Sequence, residues 1–307
     1  MNGDFVMELR QIQYFIEAAT REHITQASEA LHVAQSAISR QISLLEDELG
    51  VALFSRKGRN IQLTQAGKIF LEHAERGLIE FDKAQQKIKE YLNPDTGLIR
   101  LGISTSLSVH TLPIVLQNFH NTHPGIDFQL HQGTVPYLIR LIEQGSIDLA
   151  FASPVPKHHE VVRSSILYTE RMVLLMPKQH EKAGRGPIQL SQLKKERFIT
   201  FRSKLSLQEL FRDACRQAGF TPNIVFEGED MDTIKSLVSS NFGIALMPEN
   251  AAAYNLPETV AAIPLSTPKI TRSVGVIRPR DRDLAPSEQL FSLFIDEFYE
   301  RLHRFGQ

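Results

Sequence analysis

The sequence predicts an all-α N-terminal part followed by an α/β part: a small helical head, one long connecting helix and two similar α/β lobes. Three observations predict it. Two short amphipathic helices joined by a tight turn fall between Ile24 and Leu49; an apolar repeat with steps of four and three runs from Leu63 to Tyr91; and beyond the turn cluster Asn93–Gly97, β-prone runs alternate with helical ones.

Length and composition bound the reading. A chain of 307 residues suffices for two or three domains, each with its own core, and 42% hydrophobic with 22% charged residues is ordinary for a soluble globular protein. A net charge of -1 is not that of a chain that binds nucleic acid indiscriminately, so any such contact must use locally clustered cations. The single cysteine, Cys215, leaves no intramolecular disulfide and no thiolate-rich metal site. No apolar run approaches a membrane span and the first residues lack a leader's pattern, so a cytoplasmic protein without membrane contact is expected.

The first helix is read from Leu9, with Ile12, Phe15, Ile16 and Ala19 facing inward. In the helix pair, Thr25 is the expected N-cap, and Ala27, Ala30 and Leu31 the buried face; the chain turns near His32-Val33 and resumes as a helix close to Gln35. Ile38, Ile42, Leu45 and Leu49 then form one apolar stripe, and the opposite face shows Gln35, Ser36, Ser39, Arg40 and Ser43, short or forked hydrogen-bonding groups of the kind that reach base edges in a major groove. This is a helix-turn-helix pattern, with an ordinary helical hairpin as the alternative. Gly50 stops the helix. Leu53-Phe54 and Ile61–Leu63 flank a turn of Lys57-Gly58-Arg59-Asn60, a hairpin whose cations Arg56, Lys57 and Arg59 suit phosphates or a minor groove, as in a wing.

The repeat of Leu63, Gly67, Phe70, Ala74, Gly77, Phe81, Ala84, Ile88 and Tyr91 has the period of a coiled-coil seam over about four heptads. Its expected partner is the same helix of a second subunit; packing of its first turns on the N-terminal helices is the alternative. The expected divisions are residues 1–64, with the helix-turn-helix at about 24–43, a dimerising helix at 65–92, and a ligand-binding part at 93–307. Within the last, lobe I takes about 98–166 and 271–307, and lobe II about 167–270.

In lobe I strands are read at Ile99–Ser104, Asp127–His131 and Asp148–Ala152, with helices at Leu112–Asn121 and Tyr137–Gln144. In lobe II they are read at Met172–Met176, Phe198–Phe201, Asn223–Phe226 and Gly243–Met247, with helices at Leu207–Ala218 and Asp232–Ser239. Residues 144–150 are echoed by 240–246, each a helix end, a short loop and a buried strand. A strand at Ser273–Ile277 and a helix from Ser287 to about Arg304 return to lobe I. Ligands bind such sheets outside the carboxyl ends of the strands. Thr105 and Ser106, Gly133 and Thr134, Ser153, and Phe201 and Arg202 all fall there, with hydroxyls, N–H groups and one guanidinium that suit an anion. Each alone also reads as a plain cap or turn. His120 and His123, and His158 and His159, lack the carboxylate or nucleophile spacing of hydrolytic or metal chemistry, so no catalytic residue, metal or cofactor is expected.

Gln26-Ala27-Ser28-Glu29-Ala30-Leu31, Gln35-Ser36-Ala37-Ile38-Ser39-Arg40-Gln41-Ile42, Leu45-Glu46, Leu49-Gly50, Leu53-Phe54 and Leu63-Thr64-Gln65-Ala66-Gly67 resemble the N-terminal signature of LysR-type transcriptional regulators, and the two-lobed remainder resembles that family as well. More narrowly, Met7–Gln11, Gly228–Lys235 and Ser153–Pro156 resemble its regulators of glutamate synthase genes. The resemblance implies a winged helix-turn-helix domain, a dimerising linker helix and a two-lobed periplasmic-binding-protein-like effector domain. It implies double-stranded promoter DNA and a small-molecule effector as partners, assembly as a homodimer or homotetramer, and RNA polymerase as a further partner of an activator. Effector contacts at Ser106 and Thr134 follow from it, as does a small anionic effector such as 2-oxoglutarate or glutamate. A two-lobed small-molecule-binding protein without a DNA-binding role is the alternative.

Overall fold

A computed structural model of the chain describes residues 7–57, 60–93, 96–107, 111–203 and 205–305. The chain divides into two compact units, residues 1–88 and 89–307.

The first unit holds α1 (Leu9–Arg21), α2 (Ile24–Ala30), α3 (Gln35–Leu49), β1 (Phe54–Lys57), β2 (Asn60–Leu63) and most of α4 (Gln65–Leu92). Helix α1 opens on a reciprocal cap between Glu8 and Gln11 and ends at Glu22, which turns the chain in the left-handed region. The Glu22 carbonyl then accepts the N–H of Ile61, so the turn between α1 and α2 holds the antiparallel pair β1–β2. His23, not Thr25, caps α2 by accepting the Gln26 N–H; Thr25 lies inside the first turn. Ala30 is exposed and Ser28 is buried in its place, its hydroxyl bonding back to the Thr25 carbonyl.

Ala18, Ala27, Ile38 and Ile42 close the three-helix core; the small side chains of Ala18 on α1 and Ala27 on α2 let both helices lie across the isoleucines of α3. Gly50 ends α3 at φ 67°, where a side chain would be strained. Glu46 on α3 accepts the N–H groups of Leu53 and Phe54 at 2.7 and 3.0 Å, fixing the base of the hairpin. Phe15 packs between Phe54 and Phe70, ring centroids 5.3 and 5.1 Å away, and joins α1, β1 and α4. Helix α4 starts where Thr64 ties back to the Ala52 and Leu53 carbonyls. A Cβ on Gly67 would lie 2.1 Å from the Leu53 carbonyl oxygen, so this glycine of the repeat serves packing within the unit, as does buried Ala74. Farther along, Gly77 faces open space and Phe81, Ile88 and Tyr91 are 57%, 62% and 82% exposed.

The second unit runs β3 (Gly97–Ser104), a 3₁₀ turn (Thr105–Leu107), α5 (Thr111–Thr122), β4 (Ile126–Gly133), α6 (Val135–Glu143), β5 (Leu149–Ala152) and β6 (Val162–Pro177). It continues with β7 (Ile188–Gln189), a second 3₁₀ turn (Leu190–Leu193), β8 (Arg197–Phe201), α7 (Ser206–Gln217), β9 (Asn223–Gly228), α8 (Met231–Ser239) and β10 (Ile244–Pro248). Last come α9 (Glu249–Ala253), β11 (Val260–Thr267), β12 (Thr271–Pro279) and α10 (Pro286–Phe305).

Strand β6 is three times the length read from sequence. Its first half pairs with β12 and its second with β10 and β11, so one strand runs through both lobes. Lobe I has the order β4-β3-β5-β12-β6, with β3 parallel to β4 and β5; lobe II has β9-β8-β10-β6-β11, with β8 parallel to β9 and β10. Each lobe has its own core. Phe119 and Phe291 anchor one, on the α5 and α10 side of lobe I, and Phe198 and Phe211 anchor that of lobe II. Neither β11, interrupted by Pro264, nor the short β7 and α9 was expected from periodicity.

At the base of lobe I, Glu90 in the last turn of α4 is buried and accepts the Ser287 N–H at the start of α10. Beside it Asp148, wholly buried, accepts the Arg100 N–H and pairs with Arg282, which also pairs with buried Glu288. Burial first, and then the charge of Glu288, push the Asp148 carboxyl up to about 7.

Candidate DNA-binding face and ligand cleft

On α3 the residues opposite the buried stripe, Gln35, Ser36, Ser39, Arg40 and Ser43, are all exposed. They sit at the helix's N-terminal end and its middle, on one face, and their side chains have no partner among the described residues. Thr25 on α2 is half-buried beside them. Arg56 and Lys57 lie on β1, the first strand of the hairpin, whereas Arg59 falls outside the described residues. A rigid polar face on one helix and a two-stranded ribbon held to the same core are the parts that read a groove and flank a backbone.

In the second unit a cavity of about 850 Å³ opens between the two lobes. Its lobe I wall includes Ser104, Thr105 and Ser106 after β3, Gly133 and Thr134 after β4, and Ser153 and Pro154 after β5. From lobe II come Phe201 at the end of β8, Ser206 and Leu207 at the start of α7, and Met231 at the start of α8. Six of the seven residues expected to meet a ligand therefore line one cavity. Arg202 does not: its side chain is exposed and pairs with Glu229, and its N–H bonds to the Gly228 carbonyl.

The hydroxyls differ in what they have free. Thr134 occupies the N-cap position of α6 without making the capping bond, so its hydroxyl is left unengaged at the cavity wall, beside Pro136, which brings no N–H to the first turn of α6. Ser153 donates its hydroxyl to the Ser273 carbonyl, and its N–H goes to Ser104 Oγ at 3.2 Å; these two hold β5 to its neighbours. Ser106 Oγ accepts from Arg272 at 2.6 Å and keeps its own proton to donate. Arg272 in turn is locked to Glu170, both almost fully buried, and Glu170 accepts the Asn250 N–H at the first turn of α9. The cavity's lobe I edge is thus wired through β12 and β6 into lobe II.

Several lining residues escaped the reading of the sequence: Arg140 and Glu143 on α6, Glu209 on α7, and Asp230, Asp232 and Lys235 at α8. Lys235, buried, donates to Asp232 and to the Tyr254 carbonyl. Asp230 caps α8, and the Thr233 N–H holds its carboxyl below the usual range. The signal was present in the echo between lobes: α7 and α8 follow parallel strands of lobe II as the 3₁₀ turn and α6 follow those of lobe I.

A helical head with a two-stranded wing, a long helix and a two-lobed α/β domain with a cleft are the architecture of the one-chain bacterial transcriptional regulators. The family profile for the bacterial regulatory helix-turn-helix proteins of the lysR family matches residues 9–68, and that for the LysR substrate binding domain matches residues 93–300. The chain belongs to the LysR family and is a DNA-binding transcriptional regulator. It is 43% identical over 299 residues to the transcriptional dual regulator GltC of Bacillus subtilis, covering 97% of this chain and 100% of that protein. It is 31% identical to AlsR of the same organism, over 82% of this chain and 84% of that one. The solved structure of full-length CbnR in complex with its target DNA shares the fold, with a TM-score of 0.77 at 24% identity over 95% of this chain and 99% of that one. No helix among the described residues is long and apolar enough to cross a membrane.

Proposed function

We propose that the protein regulates glutamate synthase genes, binding their promoter DNA as a homodimer or homotetramer and responding to a small carboxylate held in the lobe cleft. The observation that carries the regulon is the 43% identity to GltC over that protein's whole length. CbnR, which shares the fold, is solved on its target DNA, which supports the head as the DNA-binding part. In this reading residues 1–64 bind DNA, 65–92 dimerise and 93–307 bind the effector. Gln35, Ser36, Ser39 and Arg40 meet base edges, with Thr25 and Ser43 beside them, and Arg56, Lys57 and Arg59 meet phosphates. Phe81, Ile88 and Tyr91 on α4 are covered by a second copy, which supplies the partner that their exposure lacks within one chain.

The effector enters between Thr134 and Ser106 on one side and Phe201 on the other. It acts by binding two lobe arrangements unequally, which moves the DNA-binding heads of the oligomer relative to one another. Genome-wide mapping of bound DNA tests the regulon: peaks beside glutamate synthase genes are expected, and their absence there refutes it.

A further inference from the structure

On the reading of the lobe cleft as the effector site, we infer that Arg272 is a positioning residue of that site. It holds Ser106 as a donor to a ligand's carboxylate, and its ion pair with Glu170 carries the occupancy of that hydroxyl into lobe II. Arg272 and Glu170 face each other across β12 and β6. They stand where the chain crosses between the lobes: two residues beyond Glu170, Met172 already pairs with Pro248 of β10.

Both side chains are almost fully buried. An apolar pair would fill the same space without the cost of desolvating two charges. What the charges add here is a set of directed bonds to both lobes. Toward lobe I the guanidinium donates to Ser106 Oγ at 2.6 Å and to the Ser106 carbonyl at 3.4 Å. Toward lobe II, Glu170 Oε1 accepts the Asn250 N–H at 3.1 Å in the first turn of α9, while Oε2 takes the guanidinium. Tyr168, two residues before Glu170 on the same face of β6, repeats the span: its hydroxyl lies 3.4 Å from Thr111 Oγ1 at the start of α5 and meets the Asn250 side chain.

At Ser106 a positive charge beside Oγ repels any further donor and polarises the O–H, so the hydroxyl offers its proton to the cavity that Ser106 lines. A carboxylate there meets a donor backed by a cation; a cationic or donating group meets repulsion. A carboxylate that draws the hydroxyl toward itself alters the hold on Arg272. Arg272 moves only together with Glu170, because separating buried charges is costly. Glu170 in turn holds the first turn of α9, so the ligand favours one arrangement of the lobes over another.

The test is calorimetric titration of the full-length protein with 2-oxoglutarate and, separately, glutamate, joined to fluorescence anisotropy on a genomic fragment that it occupies, with and without the same probe. The ratio of the two DNA affinities is the coupling factor, expected to be about fivefold or more in the native chain. Ser106→Ala, which leaves both charges paired, is expected to weaken the probe at least about fivefold and to lower the coupling factor at saturation. Thr134→Ala weakens the probe but keeps the coupling factor at saturation. The double variant Glu170→Gln with Arg272→Met, checked for folding by circular dichroism, brings the factor to within about twofold of one. A folded double variant or a Ser106→Ala protein with the native coupling factor overturns the inference and leaves the cleft reading in place. So does a probe weakened by Thr134→Ala and not by Ser106→Ala, or one that binds the native chain without changing its DNA affinity. Failure of both probes to bind, or binding indifferent to Ser106→Ala and Thr134→Ala alike, overturns the cleft reading and the inference with it.

Discussion

Replacing Glu170 by Gln keeps the shape of the side chain and removes its charge at the point where the lobes are joined. Glu170 and Arg272 are only 2% and 3% exposed; the guanidinium meets Glu170 Oε2 through Nε at 2.8 Å and through a terminal nitrogen at 2.7 Å, while Ser106 takes a third contact. Removing one partner leaves the other charge buried, at a cost of about 3–5 kcal/mol, the range for breaking a buried pair. Arg272→Met strands the Glu170 carboxylate in the same way. The double variant Glu170→Gln with Arg272→Met buries no charge at all and keeps an acceptor for the Asn250 N–H, and is expected to regain most of the loss. Urea unfolding followed by far-UV circular dichroism measures all three, the chain having no tryptophan. Single losses below about 1 kcal/mol, or a double variant whose loss equals the sum of the singles, would refute the reasoning.

Arg40→Ala is expected to narrow the gap between specific and random DNA by about 1–3 kcal/mol, and Arg59→Ala to weaken both and lower the salt slope by about one, as read by fluorescence anisotropy across a salt series. Gly67→Ala puts a Cβ 2.1 Å from the Leu53 carbonyl and lowers the melting temperature, whereas Gly77→Ala meets nothing within one chain; in sedimentation, Gly77→Ala alone weakens self-association if a second copy covers α4. For Asp148 the folded carboxyl sits at about 7 and the unfolded one near 3.8, so the folded state holds a proton that the unfolded chain releases. Its contribution to stability is complete below the lower value and is lost as pH rises through 7, with a slope of up to ~1.4 kcal/mol per pH unit between them. Urea midpoints from pH 5 to 8 should fall in the native chain, and less steeply in Asp148→Asn.

What the sequence disclosed followed from periodicity. The stripe of Ile38, Ile42 and Leu45 is the buried face of α3 as read, and the strands with continuous apolar runs, Leu149–Ala152 and Ile244–Met247, lie in the sheet. Local polar chemistry was harder to read. Thr25 looked like a cap because threonine commonly is one, but the preceding imidazole reaches the same N–H. The first half of β6 mixes Arg163, Ser164 and Ser165 with apolar residues, since it is solvated on one side, and so lacks a run that marks a strand. Strand ends led to six cleft residues, because position in an α/β sheet is set by topology. Arg202 followed the same rule by position, but a neighbouring glutamate holds its long side chain away, a contact between residues 27 apart that no spacing foretells. Lys235, in the second turn of α8, was missed because it reaches the cleft only once both lobes are in place, and Glu209 because an acidic residue in the first turn of a helix reads as a plain helix start.

The central claim is that α3 reads a particular DNA sequence. Its most direct measurement is the affinity of the full-length protein for a genomic site that it occupies, against a scrambled fragment of the same composition, from 50 to 200 mM salt. The account predicts tighter binding to the genomic site by at least about a thousandfold, surviving at the higher salt and reduced by Arg40→Ala. Equal affinity for both fragments at moderate salt would contradict it.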